Sequence, residues 1–245
     1  MFFKKNKITL TNDWTTYSTT IDDNEAIIHL DLAAYNEVNL QYNHTYVIIL
    51  KNITAEDNLV SRLIIEINNK LLKSKLAIYH ISTYFISANR ECYLVYVSNQ
   101  EIELNQLLNR IAPEIKSEVV FLRDDNWNYY FTILYPNPYE HNRIINKQII
   151  EQLTAQKESF KESRPIDYYV SFQTEASALA FIKDLPQEFS VDYASLKNTD
   201  NLITLHFSNS TIPQLENMNE ITSELVTLAI VHEASFDGWG TKIHK

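Results

Sequence analysis

The chain has 245 residues, 45% of them hydrophobic and 12% aromatic, with a formal net charge of −10, one cysteine and two glycines. That length suits two domains of roughly 100–200 residues each, and the apolar content supports buried cores, so wholesale disorder is excluded. The negative charge disfavours nucleic acid, whose phosphates are held by lysine and arginine, and Gly238 and Gly240 alone cannot build phosphate loops, dinucleotide turns or nucleophile elbows.

Strand patterns open the chain at Trp14–Thr20 and Ala26–Leu32, where Ile28, Leu30 and Leu32 alternate with Ile27, His29 and Asp31. Tyr46–Leu50 is a third strand. Thr54-Ala-Glu-Asp57 has the form of a capping box, and the helix it starts runs to about Lys75 with Val60, Leu63, Ile64, Ile67 and Leu71 on one apolar face. Ala77–Ser87 and Arg90–Val97 read as a hairpin around an Ala-Asn turn. A short helix, Glu101–Ala112, stops at Pro113, and two strands follow, Glu118–Leu122 and Asn128–Tyr135, joined by Asp124-Asp125-Asn126. From Tyr46 to Leu122 the order is βαββαβ, which suggests a ferredoxin-like α/β sandwich with extra strands at both ends.

Asn137-Pro138 starts a helix that runs to about Phe160 on a stripe of Ile145, Ile149, Leu153 and Phe160. The polar stretch Lys161-Glu-Ser-Arg164, closed by Pro165, marks a domain boundary. In the strand Ile166–Phe172, Tyr168, Val170 and Phe172 alternate with Asp167, Tyr169 and Ser171. Thr174 caps a helix carrying Ala178, Phe181, Ile182 and Leu185, and strands Ser190–Ser195 and Leu202–Ser208 follow. Thr211-Ile-Pro-Gln214 starts a long helix with Leu215, Met218, Ile221, Leu225 and Leu228 buried, and Ser235–Ile243 supplies a last strand. The expected architecture is therefore α+β: two ferredoxin-like βαββαβ sandwich units, 1–136 and 165–245, joined by a helix at 137–164.

Phe236-Asp237-Gly238-Trp239-Gly240-Thr241 follows the long helix directly and holds both glycines of a glycine-poor chain. With the run Tyr168–Tyr193 it makes the segment Asp167–Thr241 resemble the RraB-like family, the class B regulators of ribonuclease E. The first part resembles a bacterial family of unknown function through Trp127-Asn-Tyr129-Tyr130-Phe131 and Leu134-Tyr135-Pro136. The resemblance to the regulators implies a small ferredoxin-like fold without catalytic residues, and a protein that binds and inhibits a ribonuclease. Asp-Gly-Trp-Gly reads as a turn in which two glycines give backbone freedom and Asp237 bonds backbone two residues on. Trp239 then either packs under the last helix or stands out as an interface anchor.

Other constellations admit a functional reading beside a plainer one. His29 and Asp31 share a strand face and could join His80 or His206 at a metal, or they simply face solvent. Cys92 reads as a buried small hydrophobe. Asp124-Asp125-Asn126 could offer oxygens to a cation but also makes a turn. Glu114-Ile-Lys116 has a nuclease-like spacing without a paired upstream aspartate. Tyr129, Phe131, Tyr168 and Phe172 could stack bases, but lack the interleaved basic residues that RNA would need.

The chain has no apolar run approaching the roughly 18–20 residues needed to cross a bilayer, no apolar segment after its basic opening, and a lone cysteine that can form no internal disulfide. The expectation is a cytoplasmic, non-catalytic protein without metal or cofactor that inhibits or neutralises a basic protein partner, a ribonuclease or a toxin. Asp237, Trp239, Trp127, Asp124 and Asp125 are the candidate contact residues. A metal-dependent hydrolase and an RNA-binding module are the competing classes.

Overall fold

A computed structural model describes residues 13–38, 42–53, 60–66, 69, 78–111, 113, 117–199 and 202–243. The chain divides into two units between Tyr135 and Pro136. Both are mixed α+β, each built on one antiparallel sheet.

In the first unit, β1 (Trp14–Ile21) and β2 (Asn24–Asp31) form a hairpin closed by Asp22 and Asp23, both at positive φ (48° and 63°). Aspartate tolerates that conformation because its short side chain bonds locally. A helix α1 (Ala34–Val38) follows, then β3 (His44–Lys51). Residues 60–66 form helix α2, with Val60 and Leu63 buried. Thr54–Asp57, Ile67 and Leu71, on which its expected cap and full stripe depend, lie outside the described residues. The hairpin β4 (Ile78–Ile86) and β5 (Glu91–Ser98), helix α3 (Leu104–Ile111) and β6 (Ser117–Arg123) complete the sheet, in the order β1-β2-β4-β5-β3-β6. Tyr46, Ile48, Leu50, Cys92, Leu94 and Tyr96 share one core with Val60 and Leu63 of α2 and Leu104 and Leu108 of α3.

The strand expected at Asn128–Tyr135 is helical instead: after one helical step at 128–129, Tyr130–Leu134 is a π-helix. Asp124 causes this. Its carboxylate accepts the backbone N–H of Asn128 (2.6 Å) and of Tyr129 (2.8 Å), so the joint of the expected hairpin is a helix cap. The residues that bury from this segment are Tyr130 and Leu134, at helical rather than alternating spacing.

The second unit begins with α4 (Pro138–Ala155), whose capping box pairs the Asn137 side chain with the N–H of Glu140, and the Glu140 side chain with the N–H of Asn137. It ends earlier than the sequence suggested. Lys157, just past the Gln156 cap, takes positive φ (65°), which stops the helix, and Phe160 packs on the core from beyond its end. There follow β7 (Arg164–Phe172), α5 (Glu175–Asp184), β8 (Ser190–Thr199), β9 (Leu202–Thr211), α6 (Leu215–Val231) and β10 (Ala234–Thr241), with sheet order β10-β7-β9-β8. Thr174 caps α5 by accepting the N–H of Ser177. The core joins Ile166, Tyr168, Val170, Phe172, Leu205 and Phe207 of the sheet to Phe181 of α5, Met218 and Leu225 of α6 and Leu153 of α4. Near the start of β7, the fully buried Arg164 and Glu158 form a two-pronged ion pair (3.0 and 2.9 Å).

Candidate protein-binding face

The helices of the second unit cover one side of its sheet, and the alternation of β7 decides what stands on the other. Ile166, Tyr168, Val170 and Phe172 point into the core, so Asp167, Tyr169 and Ser171 point outward. On β9 the same phase buries Leu205 and Phe207 and turns Thr204, His206 and Ser208 outward. The ladder sets Asp192 of β8 opposite His206, His206 opposite Tyr169, and Tyr169 opposite Gly238 of β10, so one row crosses all four strands.

Within that row His206 is held tightly. Its Nε2 lies 2.9 Å from an Asp167 carboxylate oxygen and its Nδ1 3.7 Å from Asp192, while the ring stacks on Tyr169 at 5.2 Å and 25°. Tyr169 is 41% exposed. Asp237 is the extra residue of a β-bulge between Phe236 and Gly238, and its carboxylate accepts the hydroxyl of Ser171. The described outward side chains of the four strands include three carboxylates, Asp167, Asp192 and Asp237, and no lysine or arginine.

Asp-Gly-Trp-Gly is thus a bulged strand and not a free turn. The bulge puts Gly238 at φ +122°, a conformation that only glycine adopts easily. Trp239 falls on the inner side, 7% exposed, and donates its indole N–H to Asn146 Oδ1 of α4 at 2.8 Å. Of the two readings left open by the sequence, the packed one is what the structure contains; the exposed anchor is corrected by this burial. Trp127 is likewise buried (2% exposed), edge-on to Tyr35 and Tyr130, and Asp124 is buried and occupied by backbone N–H groups. Neither has surface to offer a partner. Asp125 and Asp237 are exposed, Asp125 accepting from Asn43 (2.7 Å).

The residues weighed for a metal have other contacts. His29 stacks on Trp14 (4.7 Å) and bonds Thr16, Asp31 accepts the N–H of Ala33, and His80 bonds Thr83. Among the described residues no three His, Cys, Asp or Glu side chains gather as metal ligands would. Cys92 is fully buried, and burial pushes its thiol up to about 12, which keeps it protonated and inert. Glu114 and Lys116 lie outside the described residues. Of the four aromatics considered for base stacking, Tyr129 and Phe131 are helical and Tyr168 and Phe172 are core. Tyr169, on the same strand as Tyr168 and Phe172, faces outward, and the sequence signal for it was the exposed phase of the alternation.

The fold and this face define an α+β protein of two sheet units, the second with one sheet side whose described outward side chains are polar and acidic. The chain belongs to the family of unknown function DUF695, whose model matches residues 12–135, just over half its length. Residues 143–241 match a second family model, Regulator of ribonuclease activity B, over a segment reaching from α4 through β10. No curated protein matches the chain. Among the described residues no helix is long and apolar enough to cross a membrane.

Proposed function

We propose that this protein is a non-catalytic regulator that acts in the cytoplasm by binding another protein, with a ribonuclease as its target. The observation that carries the reading is the match of residues 143–241 to the ribonuclease-regulator family, because that segment contains the whole open face. Two features support it. The face presents carboxylates and a stacked Tyr169–His206 pair, groups suited to recognition. The net charge of −10 favours a basic partner, with encounter accelerated at low salt.

The strand orders also support a ferredoxin-like reading of both units. Taken in chain sequence, β7, β8, β9 and β10 lie in the order fourth-first-third-second, with α5 and α6 as the two crossovers. In the first unit β3, β4, β5 and β6 lie in that same order, with β1 and β2 added beyond β4. Such a sandwich keeps one sheet side free of its own crossover helices.

The test is cleavage of an RNA by an RNase E-type endoribonuclease with the full-length protein added. The expected result is slower cleavage and a complex that forms at low salt and dissociates as salt rises. Unchanged cleavage together with no complex at low salt would sink the proposal, and tight salt-sensitive binding of the RNA itself would replace it with an RNA-binding module.

A further inference from the structure

The described sheets have four edge strands, β1 and β6 in the first unit and β10 and β8 in the second. An edge presents a row of unpaired backbone donors and acceptors, and proteins blunt it with charges or bulges. Three of these four edges are blunted. β6 carries the exposed Glu118 and Arg123, β10 is broken by its bulge at Asp237, and β8 loses register after Asp192. β1 has neither device. Its residues Trp14–Ile21 include no charge, proline or glycine, all but Ser18 are β-branched or aromatic, and they pair with β2 without a register shift. Among the described residues no strand lies on the outer side of β1.

The ladder decides which backbone groups face outward. Leu32 donates its N–H to the Asp13 carbonyl (3.0 Å), one step beyond the pair Trp14–Asp31, so residues 13 and 32 face each other as a hydrogen-bonded pair. Such pairs alternate with non-bonded ones along an antiparallel ladder. Thr15, Tyr17 and Thr19 therefore turn their backbone groups toward β2, and Trp14, Thr16, Ser18 and Thr20 turn theirs away. Two contacts agree with that phase. Thr16 Oγ1 meets His29 Nδ1 at 2.9 Å, as close side chains of a non-bonded pair do, and the His29 carbonyl points toward β4, where it accepts the Ser82 hydroxyl at 3.0 Å.

This row is its own complement. Laid antiparallel to a second copy about a two-fold axis at Tyr17, Trp14 of one copy faces Thr20 of the other and Thr16 faces Ser18, each pair exchanging two backbone bonds. Between them Thr15 faces Thr19. Asp13 falls opposite Ile21, so no charged side chain meets another, and facing threonine and serine hydroxyls are a favourable cross-strand pairing. A slip of two residues in either direction leaves Trp14 or Thr20 without a strand residue opposite it, so this register alone uses the whole row.

We propose that β1 is a dimerisation edge, at which two copies of this chain pair their β1 strands antiparallel about Tyr17 and join their first-unit sheets into one. A single added strand pair buries less than the roughly 1,200–2,000 Å² of a standard interface, so the dimer is reversible and depends on concentration. Each copy carries a net charge of −10, and screening of that repulsion strengthens the dimer as salt rises. A complex with a basic partner has the opposite salt dependence, so the two associations are told apart by sign.

The test is sedimentation velocity of the full-length protein over a wide concentration range at low and high salt. The expected result is a monomer that passes to a dimer as concentration rises, and at lower concentration when salt is high. Ser18→Pro removes one outward N–H and spares the ladder with β2, and should weaken the dimer about tenfold. Thr16→Lys with Ser18→Lys sets lysine against lysine across the axis and should abolish it. Thr16→Lys with Ser18→Glu sets lysine against glutamate and should retain it, which separates a lost interface from a disturbed hairpin. A monomer at every concentration and salt overturns the proposal, as does a dimer that survives in the double-lysine variant or is lost equally in both double variants.

Discussion

His80 packs between Trp14 (5.3 Å) and Tyr96 (5.0 Å), with its Nε2 bonded to Thr83. Desolvation in that setting lowers its pKa from 6.5 to about 4; the backbone of Ser82 opposes the shift and nearby His29 adds to it. His29 is lowered as well, first by burial. The sign follows from proton uptake: between pH 6.5 and about 4 the unfolded chain binds the His80 proton and the folded one does not. The first unit is therefore insensitive to this group above pH 6.5 and loses stability as pH falls through that window, by on the order of 2 kcal/mol at pH 5. The buried thiol of Cys92 offers the readout, since it reacts only when the unit opens. Alkylation in moderate urea should accelerate from pH 7 to pH 5, after correction for the thiolate fraction, and His80→Gln should flatten that change; an equal acceleration in the variant would show that His80 is not the group responsible. In the sequence His80 was an isolated histidine, because the rings that desolvate it come from positions 14 and 96.

At the scale of elements, the docking of α4 on α6 and β10 rests on a polar seam. Asn146 is fully buried, donates to Asn219 (2.9 Å) and Thr222 (2.8 Å), and accepts from Trp239 (2.8 Å). Asn142, one helical turn earlier, donates to Thr222 at 2.7 Å. Removing one member of a buried network leaves its partners desolvated and unpaired, which costs more than the bond itself. Asn146→Ala should destabilise the second unit by about 3 kcal/mol, whereas Trp239→Phe, which keeps most of the packing and strands one acceptor, should cost about 1–2 kcal/mol. Denaturant titration followed by far-UV circular dichroism checks both, and two losses below about 0.5 kcal/mol, the scale of an ordinary surface change, would show that water satisfies the seam. Of the expected stripe, Ile149 and Leu153 pack on the core from α4 and Phe160 from beyond its end, whereas Ile145 is not part of that core; the seam was not legible, since asparagine in a helix reads as solvent-facing. The π-helix was missed for a related reason: Tyr129, Tyr130 and Phe131 suit a strand by propensity, and the Asp124 cap overrides it.

For the whole molecule, each described core is drawn from one unit. The second contains residues from Leu153 to Trp239, and the first-unit core around α2 and α3 runs from Tyr46 to Leu108. A fragment of residues 136–245 therefore holds every buried residue of its own core, and about 110 residues is an ordinary size for a domain. We expect it to melt cooperatively with a mixed α/β circular dichroism spectrum; a broad, non-cooperative loss of signal would show that the first unit is needed to complete it.

What the sequence determined by itself is local: the order βαββαβ in each unit, the buried phase of β7 and β9, the caps at Asn137 and Thr174, and the exclusion of glycine-dependent chemistry. Those signals act over a few residues, where periodicity and backbone bonding are written directly in residue type. Tertiary structure alone decided which strands became neighbours, and so brought Asp167, Asp192 and His206 together from three strands and set Tyr169 beside Gly238. It also turned Trp239 inward to meet Asn146, a partner 93 residues away. Such pairings depend on loop closure and on side-chain packing between distant segments, terms that no short window of sequence contains.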